Sequence, residues 1–238
     1  MLRAVIFDFD LTLADSTAGA MDCINHALKC LGLPTAPDRR ILESIGLSLP
    51  DTLAYITGTT DPRMVEAFAR HFVARADEIM ADLTVFYACV PSVIRTLQAA
   101  GLAQGIVSSK FRYRIEHIVA REHLADCFAV IVGAEDTPYH KPHPAGLLRA
   151  MNALGCRPDE VVYIGDHLVD AEAARGAGIG FVAVLTGMSE RQDFLESHQP
   201  LAIIDNLTEL PELLGVDNGL RSSYRQCNLN SSSIHDED

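Results

Sequence analysis

Apolar residues follow two different spacings along the chain, and the change between them divides it into regions. Ala4 to Phe7 are four consecutive apolar residues, which predicts a short buried strand. From residue 17 to about residue 82, apolar positions recur with the spacing of one helix face, interrupted by glycine and proline. The pattern therefore predicts a first strand followed by an all-helical block.

Beyond residue 90 the pattern changes again, and short apolar runs alternate with helical stretches. The predicted strands are Gly105–Val107, Ala129–Val132, Glu160–Ile164, Phe181–Leu185 and Ala202–Ile204. The predicted helices are Pro91–Ala100, Arg112–Arg121, Pro144–Leu154, Val169–Ala177 and Leu207–Leu214. Strands that alternate with helices of this length pair in parallel through crossover connections. The sequence therefore predicts an α/β fold.

The amino-acid composition limits which classes of molecule the protein is expected to bind. The 238 residues are 48% hydrophobic and 21% charged, and the net charge is −13. Such a chain is typical of a globular protein, and it shows no basic stripe. We therefore expect neither nucleic acid nor an anionic membrane surface as a partner. The acidity gives no long-range attraction to an anionic substrate, so any phosphate has to be held by local groups.

The cysteines and the two ends of the sequence indicate the cellular compartment that we expect for the protein. Six cysteines are scattered without metal-ligand spacing, which predicts buried small side chains in a reducing compartment. Cys23 and Cys30 lie seven residues apart on one helix face, which favours core packing. The chain starts directly with a predicted strand, and no apolar run approaches the roughly 20 residues of a membrane span. We expect a cytoplasmic protein, with residues 216–238 forming a disordered tail.

Two aspartates follow the first predicted strand. Because side chains alternate along a strand, Asp8 and Asp10 leave it on the same side. Two carboxylates this close repel each other, and burial makes both costly unless a cation or a shared proton compensates. In open α/β sheets ligands bind at the carboxyl ends of strands. The pair suggests a metal and a phosphate-like substrate; the alternative is an exposed Asp pair in a loop.

Two more polar groups follow at later element boundaries. Ser108 and Ser109 come directly after the strand that ends at Val107, where a hydroxyl and free backbone N–H groups can bind an anion. Alternatively they are a helix N-cap. Lys141 stands between two predicted elements and precedes Pro142, which restricts its backbone. Its ammonium could pair with Asp8 and a phosphoryl oxygen, although a single lysine is usually solvated.

A second acidic group follows the strand that ends at Ile164. Gly165 allows close backbone approach to a ligand, and Asp166 stands at the strand tip. Asp170 follows four residues later, on the same side of the predicted helix. Carboxylate oxygens of this kind suit Mg²⁺. The alternative is that Asp166 is the N-cap of the next helix.

Together, these motifs occur in the order strand-DxDxTxxDS, strand-Ser-Ser, Lys-Pro and strand-GDxxxD. In this combination the chain resembles the haloacid dehalogenase-like hydrolase superfamily, and within it the phosphoglycolate phosphatase-like branch. The resemblance implies a Rossmann-like three-layer core with a mostly parallel sheet and a small inserted all-helical cap domain. The core would comprise residues 1–16 and 83–215, and the cap residues 17–82. Leu11 departs from the glycine common at that position.

The resemblance implies catalytic and metal roles for the aspartates. Asp8 would be the nucleophile that forms an aspartyl-phosphate, and Asp10 the general acid and base. Mg²⁺ would be held by Asp8, Asp10 through its backbone carbonyl, and Asp166, with Asp170 in support.

The resemblance also implies which residues hold the substrate. Ser108 and Lys141 would bind the transferred phosphoryl group, and Lys141 would also serve catalysis. Ser109 is a further substrate-binding candidate, although this position often carries Asn in the family. The helical cap would close over the site and recognise the leaving group of a small phosphorylated metabolite. Its candidates are Ser44, Gly46 and Ser48.

Several functions share this scaffold. We expect an Mg²⁺-dependent phosphomonoester hydrolase of the phosphoglycolate type. A sugar phosphomutase or an inorganic pyrophosphatase is an alternative, and a non-catalytic regulatory protein is a further one. The last is disfavoured because Asp8, Asp10, Lys141 and Asp166 are all present. A haloacid dehalogenase is disfavoured because Asp10 supplies an acid/base group that its chemistry does not use in this way.

Overall fold

A six-stranded parallel sheet forms the centre of the computed structural model, which describes residues 1–197 and 199–216. Its strands in chain order are β1 (Ala4–Phe7), β4 (Ala103–Val107), β5 (Val130–Val132), β6 (Val161–Gly165), β7 (Gly180–Val184) and β8 (Ala202–Ile204). The spatial order is β5-β4-β1-β6-β7-β8, and every pair is parallel. The first strand of the chain thus lies between β4 and β6, and the predicted α/β fold is confirmed.

Helices cover both faces of this sheet. One apolar layer joins it to α5 (Val90–Ala99), α6 (Arg112–Arg121) and α10 (Leu210–Leu213). The other joins it to α7 (Ala145–Leu154), α8 (Leu168–Ala177) and α9 (Arg191–Ser197). β1 is buried on both sides, as parallel strands between two helical layers require. The three-layer arrangement is the one expected.

Residues 17–82 form the helical block expected from the apolar spacing. Its helices are α1 (Thr17–Cys30), α2 (Asp38–Ser44), α3 (Leu49–Thr57) and α4 (Pro62–Ile79). They share an apolar core of their own, built on Ile24, Leu28, Ile41, Leu53 and Phe68. Asp61 caps α4 by accepting a hydrogen bond from the Arg63 amide, with Pro62 at the first helical position.

A two-stranded ribbon joins the helical block to the sheet domain, and the sequence did not predict it. β2 (Ala14–Asp15) leads into α1, and β3 (Val85–Phe86) leads out of the block; the two strands pair antiparallel. A two-residue strand is too short to show an alternating pattern, which is why the ribbon was missed. The chain segments that enter and leave the helical block therefore run side by side.

Three further expectations need correction or fall outside the structure. The helix predicted at Leu207–Leu214 is a 3-10 turn at Leu207–Glu209 followed by the short α10, because Pro211 cannot continue a helix begun before it. Helix α9 was not predicted. Cys30, at the last residue of α1, is exposed rather than buried. Except for Val216, the predicted tail lies outside the described residues.

None of the helices within residues 1–197 and 199–216 combines the length and apolar character needed to cross a bilayer.

Candidate active site

Strand register brings the predicted site residues to one edge of the sheet. Phe7 aligns with Ile106 on one neighbouring strand and with Ile164 on the other. The residues that follow these positions therefore emerge together at the carboxyl ends of β1, β4 and β6. Asp8 is fixed there by its amide, which donates a 2.8 Å hydrogen bond to the Ile164 carbonyl oxygen.

Lys141 connects two of the buried carboxylates. Its Nζ atom lies 2.8 Å from Asp8 Oδ2 and 2.6 Å from Asp170 Oδ1. The Tyr163 hydroxyl lies 3.0 Å from the same Asp170 oxygen and 3.1 Å from the Val107 carbonyl oxygen. Burial opposes the charge on Lys141, but the carboxylates of Asp170 and Asp8 raise its pKa. Lys141 is therefore a buried, charged lysine and not a solvated one.

Asp166 is held by a residue from the first motif. Thr12 Oγ1 donates a 2.6 Å hydrogen bond to Asp166 Oδ1. Two glycines leave room for the acidic groups, because a Cβ at Gly187 would lie 2.0 Å from Asp166 Oδ2 and one at Gly165 would lie 2.5 Å from Asp170 Oδ2. The N-cap of α8 is not Asp166 but His167, whose ring accepts a hydrogen bond from the Val169 amide. Asp166 is thus left available for a ligand.

Three of these carboxylates have the arrangement of a cation site. One oxygen each of Asp8, Asp166 and Asp170 lies within 4.8 Å of the others, and all three residues are buried. Asp8 Oδ1 is buried and has no hydrogen-bond partner within the described residues. Hard oxygen donors with an unsatisfied buried atom fit a divalent cation such as Mg²⁺. No other cluster of this kind occurs in the described ranges.

Without a cation the cluster favours protonation. Burial, followed by the charges of Asp170 and Asp10, raises the pKa of Asp8 to about 7 in spite of Lys141. Burial and the charges of Asp170 and Asp8 raise the pKa of Asp166 well above its usual value. A positive ion between the carboxylates would reverse both shifts.

Asp10 has a cationic partner that the sequence did not reveal. Lys110 Nζ lies 3.0 Å from Asp10 Oδ1, and both side chains are buried. This pair lacks hydrogen-bond geometry, since Asp10 Oδ1 has no hydrogen-bond donor within the described residues. The buried pair excludes the alternative of an exposed Asp pair in a loop.

The two serines after β4 differ in their contacts. Ser108 is buried at the strand end, and its Oγ accepts a 3.3 Å hydrogen bond from the Lys110 amide. Ser109 donates a 2.9 Å hydrogen bond to the Gly46 carbonyl oxygen in the helical block. Neither is the N-cap of α6, which is Phe111. Ser108 thus lies at the edge of the sheet that carries the carboxylate cluster, whereas the Ser109 hydroxyl bonds to the helical block.

A cavity of about 570 Å³, including its mouth, lies between the helical block and the sheet domain. Asp10, Ser109 and Lys110 contribute to its walls from the sheet domain. Ser44 and Gly46 line it from the block, whereas Ser48 caps α3 instead. The apolar walls come from Ile24, Leu47, Leu49, Phe72 and Met80. The block therefore supplies a mostly apolar wall opposite Asp10 and Lys110.

The structure brings Asp8, Asp10, Lys141, Asp166, Asp170 and Ser108 to one edge of the sheet. Sequence reasoning missed Thr12, Lys110, Tyr163 and Gly187 as parts of the same site. Thr12 stands inside the first motif, so its position was a usable signal. Tyr163 looked like an ordinary strand residue. Gly187 comes after a predicted strand, and no sequence motif around it indicated a role in the site.

The match to known families agrees with this geometry. Residues 5–184 match the family model of the haloacid dehalogenase-like hydrolases. That stretch begins in β1, ends with β7, and contains every predicted site residue. The chain belongs to the haloacid dehalogenase-like hydrolase family. It is a hydrolase of the family that the sequence motifs resemble.

Relatives of this hydrolase carry several substrate names. It is 28% identical to a phosphoglycolate phosphatase of Salmonella typhimurium, covering 90% of this chain and 93% of the relative. It is 32% identical to an N-acetylmuramic acid 6-phosphate phosphatase of Pseudomonas aeruginosa, with 90% and 95% covered. It is 28% identical to pyrophosphatase PpaX of Bacillus mycoides, with 92% and 99% covered.

A solved structure extends the likeness to three dimensions. A haloacid dehalogenase-like hydrolase from Bacteroides fragilis superposes on this hydrolase with a TM-score of 0.85 at 36% identity. The match covers 88% of this chain and all of that one. The likeness includes the parallel sheet and the helices on its two faces.

Proposed function

We propose that the chain is an Mg²⁺-dependent phosphomonoester hydrolase that acts on a small phosphorylated metabolite of the phosphoglycolate type through an aspartyl-phosphate. The observation that carries this proposal is the buried Asp8 carboxylate. One of its oxygens pairs with Lys141 at 2.8 Å, while the other has no hydrogen-bond partner within the described residues. The relatives named as phosphatases support phosphoester hydrolysis.

Asp8 is the nucleophile in this proposal. The 2.8 Å bond from its amide to β6 and the pairing of Oδ2 with Lys141 fix its side chain at the strand end. Attack on phosphorus forms the Asp8–phosphate bond and breaks the bond from phosphorus to the leaving oxygen. The ammonium of Lys141 and the hydroxyl of Ser108 then hold the phosphoryl oxygens, where charge accumulates.

Asp10 carries the proton. It lies two residues from Asp8 on the same side of the strand end and lines the cavity that would receive the leaving group. In the first step it donates a proton to the leaving oxygen. In the second it accepts one from the water that hydrolyses the aspartyl-phosphate.

Mg²⁺ is the proposed cofactor. Asp8, the Asp10 backbone carbonyl and Asp166 would hold it, with Asp170 in support. When bound, it supplies positive charge that offsets the repulsion between the carboxylates and the phosphoryl group. The four aspartates outnumber the two lysines at the site by two charges, which a divalent cation balances.

We further propose that residues 17–82 act as a cap domain and that residues 1–16 and 83–215 form the core domain. The separate apolar core of the helical block and the cavity beneath it support this division. A cytoplasmic location is part of the proposal. The described cysteines are all free, which fits a reducing compartment.

Pyrophosphate hydrolysis is a second candidate, because the pyrophosphatase relative is as similar as the phosphoglycolate phosphatase. A mutase would keep its phosphorylated product and need a bisphosphate activator, so release of free phosphate discriminates against it. A regulatory role without catalysis would leave the paired, buried aspartates without a use.

A hydrolysis screen tests the proposal directly. Purified protein is incubated with Mg²⁺ and a panel of phosphorylated metabolites that includes phosphoglycolate and pyrophosphate, and released phosphate is measured. We expect Mg²⁺-dependent release that excess chelator abolishes. Activity undiminished by chelator would contradict the metal role, and no release from any compound would contradict the proposed function.

A further inference from the structure

We propose that Lys110 is a specificity-determining residue whose ammonium binds an anionic group adjacent to the leaving oxygen of the substrate. That group is a carboxylate or a second phosphoryl group. The inference rests on the proposed phosphatase function and adds the chemical class of the leaving group.

Lys110 is a buried cation with unused hydrogen-bonding capacity. Its side chain is 5% exposed, and an ammonium has three N–H donors. Its polar neighbour is Asp10 Oδ1 at 3.0 Å, in a geometry that does not form a hydrogen bond. The Phe9 ring lies 6.0 Å from Nζ, at the limit of a cation–π contact. No other polar partner of Nζ occurs within the described residues. A buried cation in this condition is completed by a ligand acceptor.

The ammonium belongs to the cavity between the sheet domain and the helical block. Asp10 and Lys110 both line it, whereas Asp8 and Lys141 are not among its described walls. The cavity therefore adjoins Asp10, which contacts the leaving oxygen in the proposed reaction. The other lining cation, Arg114, is already used: its guanidinium donates to Asp77 at 2.6 Å and to the Val73 carbonyl oxygen at 3.1 Å.

Position limits the kind of group that Lys110 can reach. In the proposed reaction the leaving oxygen contacts Asp10, and Lys110 Nζ lies 3.0 Å from an oxygen of that residue. An acceptor that bonds Lys110 therefore lies on the part of the substrate close to the leaving oxygen. A carboxylate on the neighbouring carbon meets this condition, and so does a second phosphorus that carries the leaving oxygen itself.

The cavity walls are mostly apolar but also carry four hydroxyl groups. Ile24, Leu47, Leu49, Phe72 and Met80 supply apolar surface, and the hydroxyls belong to Ser16, Ser44, Thr52 and Ser109. An anionic group next to the phosphoester, placed on Lys110, supplies the acceptor that this ammonium lacks.

Matched substrates test this inference. kcat/KM is measured with Mg²⁺ for phosphoglycolate and pyrophosphate, and for ethyl phosphate and 2-hydroxyethyl phosphate, whose leaving groups are neutral. Wild type, Lys110→Met and Lys110→Arg are compared. Lys29→Met is the control, since it removes an exposed lysine of α1 by the same change. The readout is the ratio of kcat/KM for anionic over neutral leaving groups, because loss of the Asp10 contact alone affects both kinds equally.

We expect wild type to prefer the anionic leaving groups and Lys110→Met to lose about 10- to 100-fold of that preference, mainly through KM. Lys110→Arg should retain most of it, and Lys29→Met all of it. If Lys110→Met lowers kcat/KM for phosphoglycolate alone, Lys110 binds the carboxylate. If it lowers kcat/KM for pyrophosphate alone, Lys110 binds the second phosphoryl group.

The failures of the two proposals are distinguishable. Wild type that hydrolyses the neutral and anionic esters equally well overturns the role of Lys110 and leaves the phosphatase proposal intact, and it does so even if Lys110→Met does not fold. A folded Lys110→Met variant whose kcat/KM ratio for anionic over neutral leaving groups equals that of wild type also overturns the role of Lys110. Wild type that hydrolyses other compounds of the metabolite panel but neither phosphoglycolate nor pyrophosphate overturns the role of Lys110, whereas no release from any compound overturns the proposed function itself.

Discussion

Thr12 and Asp166 are 154 residues apart in sequence and are joined by a 2.6 Å hydrogen bond from the threonine hydroxyl to Asp166 Oδ1. The threonine is fully buried, and the aspartate is 2% exposed. This bond ties the loop after β1 to the end of β6. Asp166 is thereby held close to the other carboxylates, and the bond itself involves neither Asp8 nor Lys141.

Substitution of Thr12 tests whether this bond orients a metal ligand. We expect Thr12→Val to weaken the apparent affinity for Mg²⁺ by about 10- to 100-fold, because partners that orient a metal ligand contribute on this scale. Thr12→Ser keeps the hydroxyl and should stay close to wild type. Mg²⁺ titrations of phosphatase activity, and of direct binding by calorimetry, provide the measurement. Equal Mg²⁺ affinities for all three proteins would remove Thr12 from this role.

Asp8→Asn tests the nucleophile. We expect turnover to be abolished while the protein stays folded, because the amide cannot form the acyl-phosphate. Burial raises the pKa of Asp8 to about 7, so the charged side chain is costly in the metal-free fold. The variant should therefore melt no lower than wild type in chelator. Wild-type phosphate release from the variant would contradict the assignment, and thermal melting monitored by circular dichroism checks the fold.

The same pKa shift predicts a pH dependence of stability. The folded-state pKa of Asp8, about 7, lies above the unfolded value of 3.8. Between these values the folded protein binds more protons than the unfolded chain, so this residue makes stability fall as the pH rises from about 4 to about 7. In chelator, the Tm of wild type should fall more steeply over that range than the Tm of Asp8→Asn. Mg²⁺ should reduce the difference, and parallel curves in chelator would contradict it.

The two serines provide a matched pair of substitutions. Ser108→Ala removes the hydroxyl proposed to hold a phosphoryl oxygen, and we expect kcat/KM to fall about 100-fold. Ser109→Ala removes the hydrogen bond to the Gly46 carbonyl oxygen and should cost about fivefold or less, chiefly in KM. Steady-state kinetics with phosphoglycolate measure both. A larger fall in kcat/KM for Ser109→Ala than for Ser108→Ala would contradict the assignment of Ser108 to the phosphoryl group.

Much of the site could be predicted because its residues follow strands. Asp8, Ser108 and Asp166 each come just after an apolar run, and parallel strands end at a common edge. Lys141 was a weaker signal. Its side chain becomes important because folding places it between Asp8 and Asp170, which lie far from it in sequence.

The parts that sequence reasoning missed depend on tertiary packing. Lys110 follows the two serines and looked like a residue that ends a strand, yet its ammonium is buried beside Asp10. Gly187 has no pattern of its own, and only the approach of Asp166 shows why a side chain is excluded there. Cys30 kept the spacing of a buried position, but it is the last residue of α1 and its side chain is exposed.

Leu11 shows how local strain and packing combine. Its backbone φ is 58°, a left-handed conformation that costs a residue with a side chain about 1–2 kcal/mol. The side chain is buried against Ala20 and Ile45 of the helical block. A glycine would relieve the backbone and lose this contact, so the two effects oppose each other at a position directly after Asp10.

The ribbon of Ala14–Asp15 and Val85–Phe86 brings the two chain connections of the helical block together at one place. Because the chain enters and leaves through paired strands, the two ends of residues 17–82 are already adjacent. A block of another size, or a short turn, could therefore be joined at the same two strands with little change in loop-closure entropy. The sheet with its acidic edge can thus keep its chemistry while the part that covers it is exchanged over evolution.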